Sequence, residues 1–167
     1  LAGVDPSGQT VVWWHQHTGA REELLNQMIA DFNENNPWGI TVEASNQGSY
    51  GDIYNKMIAA IPTGDTPTLV VAYQNNAAAY HLAGGLADNM DLFVKDPQWG
   101  LNEAEVADFV PGFFTQDYTP DGSARIGFPP NRSLEGFYYN LTALKELGYD
   151  GPPTSATVMP KPAANDV

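Results

Sequence analysis

The chain has 167 residues, 43% apolar and 11% aromatic, which suits one domain with a real core and argues against disorder. Twenty acidic against seven basic residues leave a net charge of -13; that excludes the cationic face a nucleic-acid binder needs and disfavours anionic membrane surfaces. There is no cysteine, so disulfides, thiolate metal sites and a cysteine nucleophile are excluded, and no apolar run reaches the roughly 18 residues that would span a membrane.

Leu1 to Gln9 is small and polar and is expected as a flexible lead-in. Thr10-Val-Val-Trp-Trp14 is a short apolar run, read as a buried strand. Arg21 to Asn35 reads as a helix with Leu25, Met28, Ile29 and Phe32 turned inward, Glu22 and Glu23 in its first turn, and Asn36-Pro37 ending it. Ile40 to Ala44 is a second strand, and Asp52 to Ile61 a second helix with Ile53, Met57, Ile58 and Ile61 inward. Leu69 to Tyr73 is a third strand, apolar throughout and so expected to be covered on both faces. An Ala-rich helix from Ala77 to Ala83 stops at Gly84-Gly85, and Leu86 to Phe93 is read as an extended arm packed back on the body. This alternation predicts an open, mainly parallel α/β sheet flanked by helices.

From Lys95 to Gly122 the pattern weakens, leaving a short helix at Glu103 to Asp108 and a turn at Asp121-Gly122 before a strand from Ala124 to Phe128. Pro129-Pro130 then fixes an extended crossing, followed by the polar Asn131-Arg132-Ser133 and the strand-prone Phe137-Tyr138-Tyr139. A helix from Leu141 to Leu147 closes the segment, with Gly148 as C-cap. Residues 152–167 are rich in Pro, Ala and Thr without an apolar period and are expected as a low-complexity tail. The lobe itself is expected over 10–151.

In open parallel sheets the binding crevice lies beyond the carboxyl ends of the strands. Three loops fall there, His15 to Gly19, Gln47 to Gly51 and Tyr73 to Asn76, with the crossing as a fourth candidate. All carry uncharged donors and acceptors beside an aromatic residue. Such a set suits a hydroxylated ligand, with Trp14, Tyr50, Tyr73 or Tyr138 covering its apolar ring faces. The helix starting near Gly19 adds free amides that an anion such as phosphate could meet. The residues expected to bind ligand are Trp14, His15, His17, Thr18, Tyr50, Tyr73, Gln74, Asn131, Ser133 and Glu135.

The segments Phe128-Pro-Pro-Asn-Arg-Ser133, Phe137-Tyr-Tyr-Asn140 and Leu144-Lys-Glu-Leu-Gly148 resemble the first lobe-to-lobe crossing of family 1 extracellular solute-binding proteins, the receptors of ABC importers. Trp14-His-Gln-His-Thr-Gly19, Asp31 to Pro37, Gly48-Ser-Tyr50, Pro67-Thr-Leu-Val and Asp108-Phe-Val-Pro111 align with that family in the same order. The nearest branch takes glycerol-3-phosphate and glycerophosphodiesters, with sugar receptors beside it. The resemblance implies ligand contacts by Tyr50 and Ser133. It also implies a Glu where this chain has Gln74, a change that keeps a hydrogen-bonding group and removes the charge.

The resemblance further implies the periplasmic-binding-protein (type II) fold, N-terminal lobe only. A Lys-Thr-Trp motif that follows the double proline in the family is Thr154-Ser-Ala here, and the second lobe is expected to be absent. The expected function is capture of a sugar, polyol or glycerophosphoryl ligand outside the cytoplasm, in the periplasm or at the cell surface, for an ABC permease. The chain is expected to be a monomer without cofactor or enzymatic activity, to touch a membrane only if a lipid anchor lies upstream, and, with one lobe's contacts alone, to bind weakly or undetectably.

Rival readings stay open at this point. His15 and His17 alternate as two metal ligands would, but no third ligand stands at a recognisable spacing, so no metal is expected. Asp88, Asp91, Glu103 and Glu105 could supply a carboxylate pair for glycoside hydrolysis, with Glu135 the best single candidate for an extracytoplasmic carbohydrate-active enzyme. With 20 acids some pair is always available. A truncated fragment without a ligand is the third reading.

Overall fold

A computed structural model describes residues 1–87, 89–129, 131–133 and 136–152. The chain forms two compact units, Leu1–Pro130 and Asn131–Val167, and each is described by itself.

The first unit is built on three parallel strands in the order β2-β1-β3. β1 (Thr10–His15) is central, pairing along its whole length with β2 (Thr41–Asn46) and through Trp13 and Trp14 with the short β3 (Leu69–Val70). Side chains alternate across a strand, so the two adjacent tryptophans part. Trp14 packs against the core, and Trp13 meets the His15 ring edge-on at 6.2 Å.

α1 (Ala20–Asn35) connects β1 to β2 and lies beside β2. Its Asn33 closes the outer edge of that strand: the side chain donates to the Val42 carbonyl at 3.1 Å and accepts from the Val42 N–H at 2.7 Å. Asn36 treats Ile40 the same way. The helix covers only this narrow contact, so Leu25 and Ile29 are half-buried while Met28 and Phe32, expected inward, are exposed.

α2 (Tyr50–Ala60) starts on a complete capping box. The Ser49 side chain accepts from the Asp52 N–H, and the Asp52 carboxylate accepts from the Ser49 N–H at 2.8 Å. Ile53 and Met57 of α2 and Tyr80 of α3 (Gln74–Leu82) form the core, with Trp14, Val70 and Ile61 packed around it. Full burial of side chains this size contributes about 1.5–3 kcal/mol each. Burial also pushes the Tyr80 hydroxyl up to about 12, with Tyr54 adding to the shift. Ile58, also expected inward, is exposed. The end of α3 fits closely: a Cβ on Gly85 would stand 2.4 Å from Ile61 Cγ1.

The third strand is shorter than its apolar run. Leu69 is 47% exposed and Tyr73 54%, so it is not covered on both faces. β3 is an edge, held through Trp13 and Trp14 and by the Val71 N–H donating to the Trp14 carbonyl.

Residues 89–129 carry three short helices, α4 (Asp91–Val94), α5 (Glu103–Asp108) and α6 (Pro111–Phe114). No strand runs from Ala124 to Phe128; the segment makes one antiparallel bridge, Tyr118 to Arg125. The reason is Arg125, 1% exposed. Its Nε donates to Asp91 at 2.7 Å, its terminal nitrogens to the Phe114 carbonyl and the Tyr118 hydroxyl, and its guanidinium lies 4.4 Å from the Phe114 ring centre.

In the second unit α7 (Leu141–Glu146) is capped at its start by Asn140, whose side chain accepts from the Ala143 N–H. It ends in a Schellman turn: Gly148 at φ 84° donates to Lys145, and Tyr149 to Leu144. Phe137 to Tyr139, read as a strand, forms none here and is exposed, Phe137 at 97%.

Candidate functional site

Parallel pairing brings the carboxyl ends of β1, β2 and β3 to one edge of the first unit. The loop after β1 turns on His15, which is 1% exposed. Its Nδ1 accepts from the His17 N–H at 3.2 Å and its carbonyl accepts from the Gln47 N–H at 2.9 Å. An accepting Nδ1 leaves the ring proton on Nε2. Burial holds the His15 pKa below the ordinary value, against the pull of Glu22. His15 is therefore a neutral group buried within the turn. His17 stacks over it with ring centres 5.8 Å apart.

Asn46, the last residue of β2, ties two loops together. Its Nδ2 donates to the His17 carbonyl at 2.6 Å and its Oδ1 accepts from the Gly48 N–H at 2.8 Å. Gly48 sits at φ 94°, and a Cβ there would lie 2.7 Å from the Asp52 carboxylate. That turn delivers Tyr50 as the first residue of α2.

Tyr50 is the centre of the edge. Its ring meets that of Tyr73, the N-cap of α3, at 4.2 Å and 31°. Its hydroxyl accepts from Gln16 Nε2 at 2.9 Å. Burial, then Tyr73, pushes its pKa up, so it remains a neutral phenol. Beside it opens a cleft of about 400 Å³ lined by Gln16, His17, Thr18, Ala20, Arg21 and Tyr50. The start of α1 borders this cleft, and its N-cap, Gly19, supplies no side-chain cap. The positive helix end and Arg21 are opposed by Glu22 and Glu23 in the same turn.

The expected residues divide. His17, Thr18 and Tyr50 line the cleft, Tyr73 reaches it through the Tyr50 ring, and Gln74 follows as the first residue of α3. Trp14 packs on the core cluster, and His15 lies beneath the loop. Asn131 and Ser133 are exposed residues of the second unit, and Glu135 lies outside the described residues. Gln16, Arg21 and Asn46 were not singled out beforehand. Gln16 in a loop, Asn46 at a strand end and Arg21 in the first turn of α1 carry no periodic signal, and only the neighbourhood of three strand ends reveals them.

The arrangement offers neutral hydrogen-bonding groups, one cationic side chain in Arg21, and the rings of Tyr50 and Tyr73. Two of the carboxylates considered for hydrolysis have other work. Asp91 holds Arg125 and Lys95, and Glu105 closes the capping box of α5 with Asn102. Asp88 lies outside the described residues. Among the described residues no group of three His, Asp or Glu side chains could hold a metal ion, and no helix is long and apolar enough to cross a membrane.

Residues 27–162 match the family model described as bacterial extracellular solute-binding protein. The sn-glycerol-3-phosphate-binding periplasmic protein UgpB of Brucella abortus (strain 2308) is 28% identical over 141 residues, covering 84% of this chain and 31% of its own length. That of Escherichia coli (strain K12) is 25% identical over 150 residues, with 90% and 33% covered. The chain thus spans about a third of the length of these relatives. Among solved structures, the cyclic alpha-maltosyl-1,6-maltose binding protein from Arthrobacter globiformis superposes with a TM-score of 0.61 at 20% identity, over 87% of this chain and 35% of that one. The uncharacterized protein lmo0859 from Listeria monocytogenes EGD-e gives 0.53 at 20% identity, over 87% and 34%.

Proposed function

The chain belongs to the bacterial extracellular solute-binding proteins, and from that premise we propose that it captures a sugar, polyol or glycerophosphoryl ligand outside the cytoplasm for an ABC importer. The observation that carries this reading is the Tyr50–Tyr73 ring pair beside a polar cleft at the carboxyl ends of a parallel sheet. Rings cover the apolar faces of a sugar or glycerol backbone, while neutral amides and hydroxyls read its oxygens. His17, Thr18 and Gln74 complete the contacts from this unit. Asn131, Ser133 and Glu135 of the crossing segment, and the permease as partner, belong to the same proposal. The names of the relatives support both a glycerol-3-phosphate and a maltosyl ligand. Gln74, uncharged, suits either.

Calorimetric titration of the chain with maltose, glycerol and sn-glycerol 3-phosphate tests the reading. A saturable heat with one of them, removed in Tyr50→Ala, is the expected result. No heat with any, or a heat unchanged in Tyr50→Ala, contradicts it. No observation favours hydrolysis over binding.

A further inference from the structure

Gln16 lines the cleft with only half of its amide engaged. Its Nε2 donates to the Tyr50 hydroxyl, while its Oε1 is buried without a hydrogen-bond partner among the described residues. Native proteins satisfy nearly all buried polar atoms, so an orphaned amide oxygen at a cleft marks an unfilled contact. Tyr50 is its complement. The phenol oxygen accepts from Gln16, the phenol keeps its proton at neutral pH, and that proton has no acceptor among the described residues.

Resting on the solute-binding reading above, we propose that Gln16 and Tyr50 together read one hydroxyl of the ligand. The ligand O–H donates to Gln16 Oε1, and its oxygen accepts the Tyr50 O–H. A hydroxyl is donor and acceptor at once and matches the pair. An unprotonated phosphate oxygen does not: it accepts from Tyr50 but meets a lone pair at Gln16. In a glycerophosphoryl ligand the pair therefore takes a carbon-borne hydroxyl, and in a sugar a ring hydroxyl.

Oε1 is shielded where it stands, so contact takes a turn about the terminal amide torsion, which is broad and soft for glutamine. Turning the amide right over exchanges the orphan without removing it. Oε1 then accepts from Tyr50, Nε2 is left buried, and a phosphate oxygen becomes the better match. This is the rival outcome.

The test uses the isotope-labelled full chain and the side-chain amide resonances of Gln16, assigned by their loss in Gln16→Leu. Glycerol and maltose at about millimolar concentration are expected to shift them, and inorganic sulfate, an acceptor-only anion at neutral pH, to leave them in place. Where a polyol affinity is measurable, Gln16→Leu is expected to weaken it about tenfold, the usual effect of one lost buried hydrogen bond. Sulfate moving the resonances while polyols do not overturns the proposal, as does an unchanged polyol affinity in Gln16→Leu. Polyols shifting the Tyr50 and Tyr73 rings with the Gln16 amide unmoved overturns it too, and leaves the solute-binding reading standing. No shift anywhere overturns both.

Discussion

The side-chain amide of Asn46 donates to the main-chain carbonyl of His17 at 2.6 Å, joining the end of β2 to the loop after β1. With its oxygen on the Gly48 N–H, this one residue sets the distance between the two loops that border the cleft. Asn46→Ala removes both bonds and leaves two main-chain groups to find water. At about 0.5–1.5 kcal/mol for each bond, the loss of stability is expected at about 1–3 kcal/mol. Urea denaturation of variant and wild type measures it, with exchange of the Gly48 amide accelerated.

Gly48 is expected to tolerate nothing larger. Its φ of 94° is unfavourable for any other residue, and a Cβ would press on the Asp52 carboxylate that closes the capping box. Gly48→Ala should destabilise by about 1–3 kcal/mol and displace Tyr50. Ser49→Ala should cost about 1 kcal/mol, the usual value for a lost N-cap. Thermal melts of the two variants give the order; an equal or larger loss in Ser49→Ala would show that the turn is not strained by a side chain.

Arg125 is the organising residue of 89–129. Truncating it empties a buried site and takes one of two cationic partners from Asp91, which keeps Lys95 and Tyr118, a loss of about 3–5 kcal/mol for Arg125→Ala. Asp91→Ala, which strands the buried guanidinium, should fall in the same range. Urea midpoints for both variants and the double variant test this, the double variant being expected to lose less than the sum.

The same knot sets an acid limit. Burial alone would raise the Asp91 carboxyl, but hydrogen bonds from Lys95, Arg125 and Tyr118 outweigh it and hold the group below its ordinary value. A carboxyl depressed in the folded state stabilises above its unfolded value of about 4, and that contribution is lost as pH falls through the folded value. Asp121, held at about 2 by Thr119 and Ser123, acts in the same window. Urea midpoints should therefore fall on acidification below about pH 4, less steeply in Asp91→Asn. An equal slope in the variant would remove Asp91 as a cause.

Strong local signals made the sheet legible. The Thr10–Trp14 run and the Ile53–Met57 stripe announce their elements locally, whereas the Ser49 capping box, which starts α2 at Tyr50 and not at Asp52, was not read. The failures share the opposite property. Arg125 occupies a core position by pairing with Asp91 across 34 residues, which no apolar period announces. Leu69 reads as doubly covered, yet it lies on an edge whose exposure depends on strand order. Phe137 to Tyr139 has strand-forming residues but no strand beside it among the described residues. In the site, the loops were foreseen because strand ends are general binding places. Gln16 and Asn46 were not, because a polar loop residue becomes informative only when its partner is known.

The Tyr50 and Tyr73 rings carry the functional account, and their resonances report on it most directly. Titrating maltose and sn-glycerol 3-phosphate into the chain while following both rings should give saturable, parallel shifts with one ligand. Tyr50→Phe, which keeps the ring and loses the hydroxyl, should weaken the effect, and Tyr50→Ala should abolish it. Rings that stay unmoved while either ligand binds elsewhere on the chain would contradict the account.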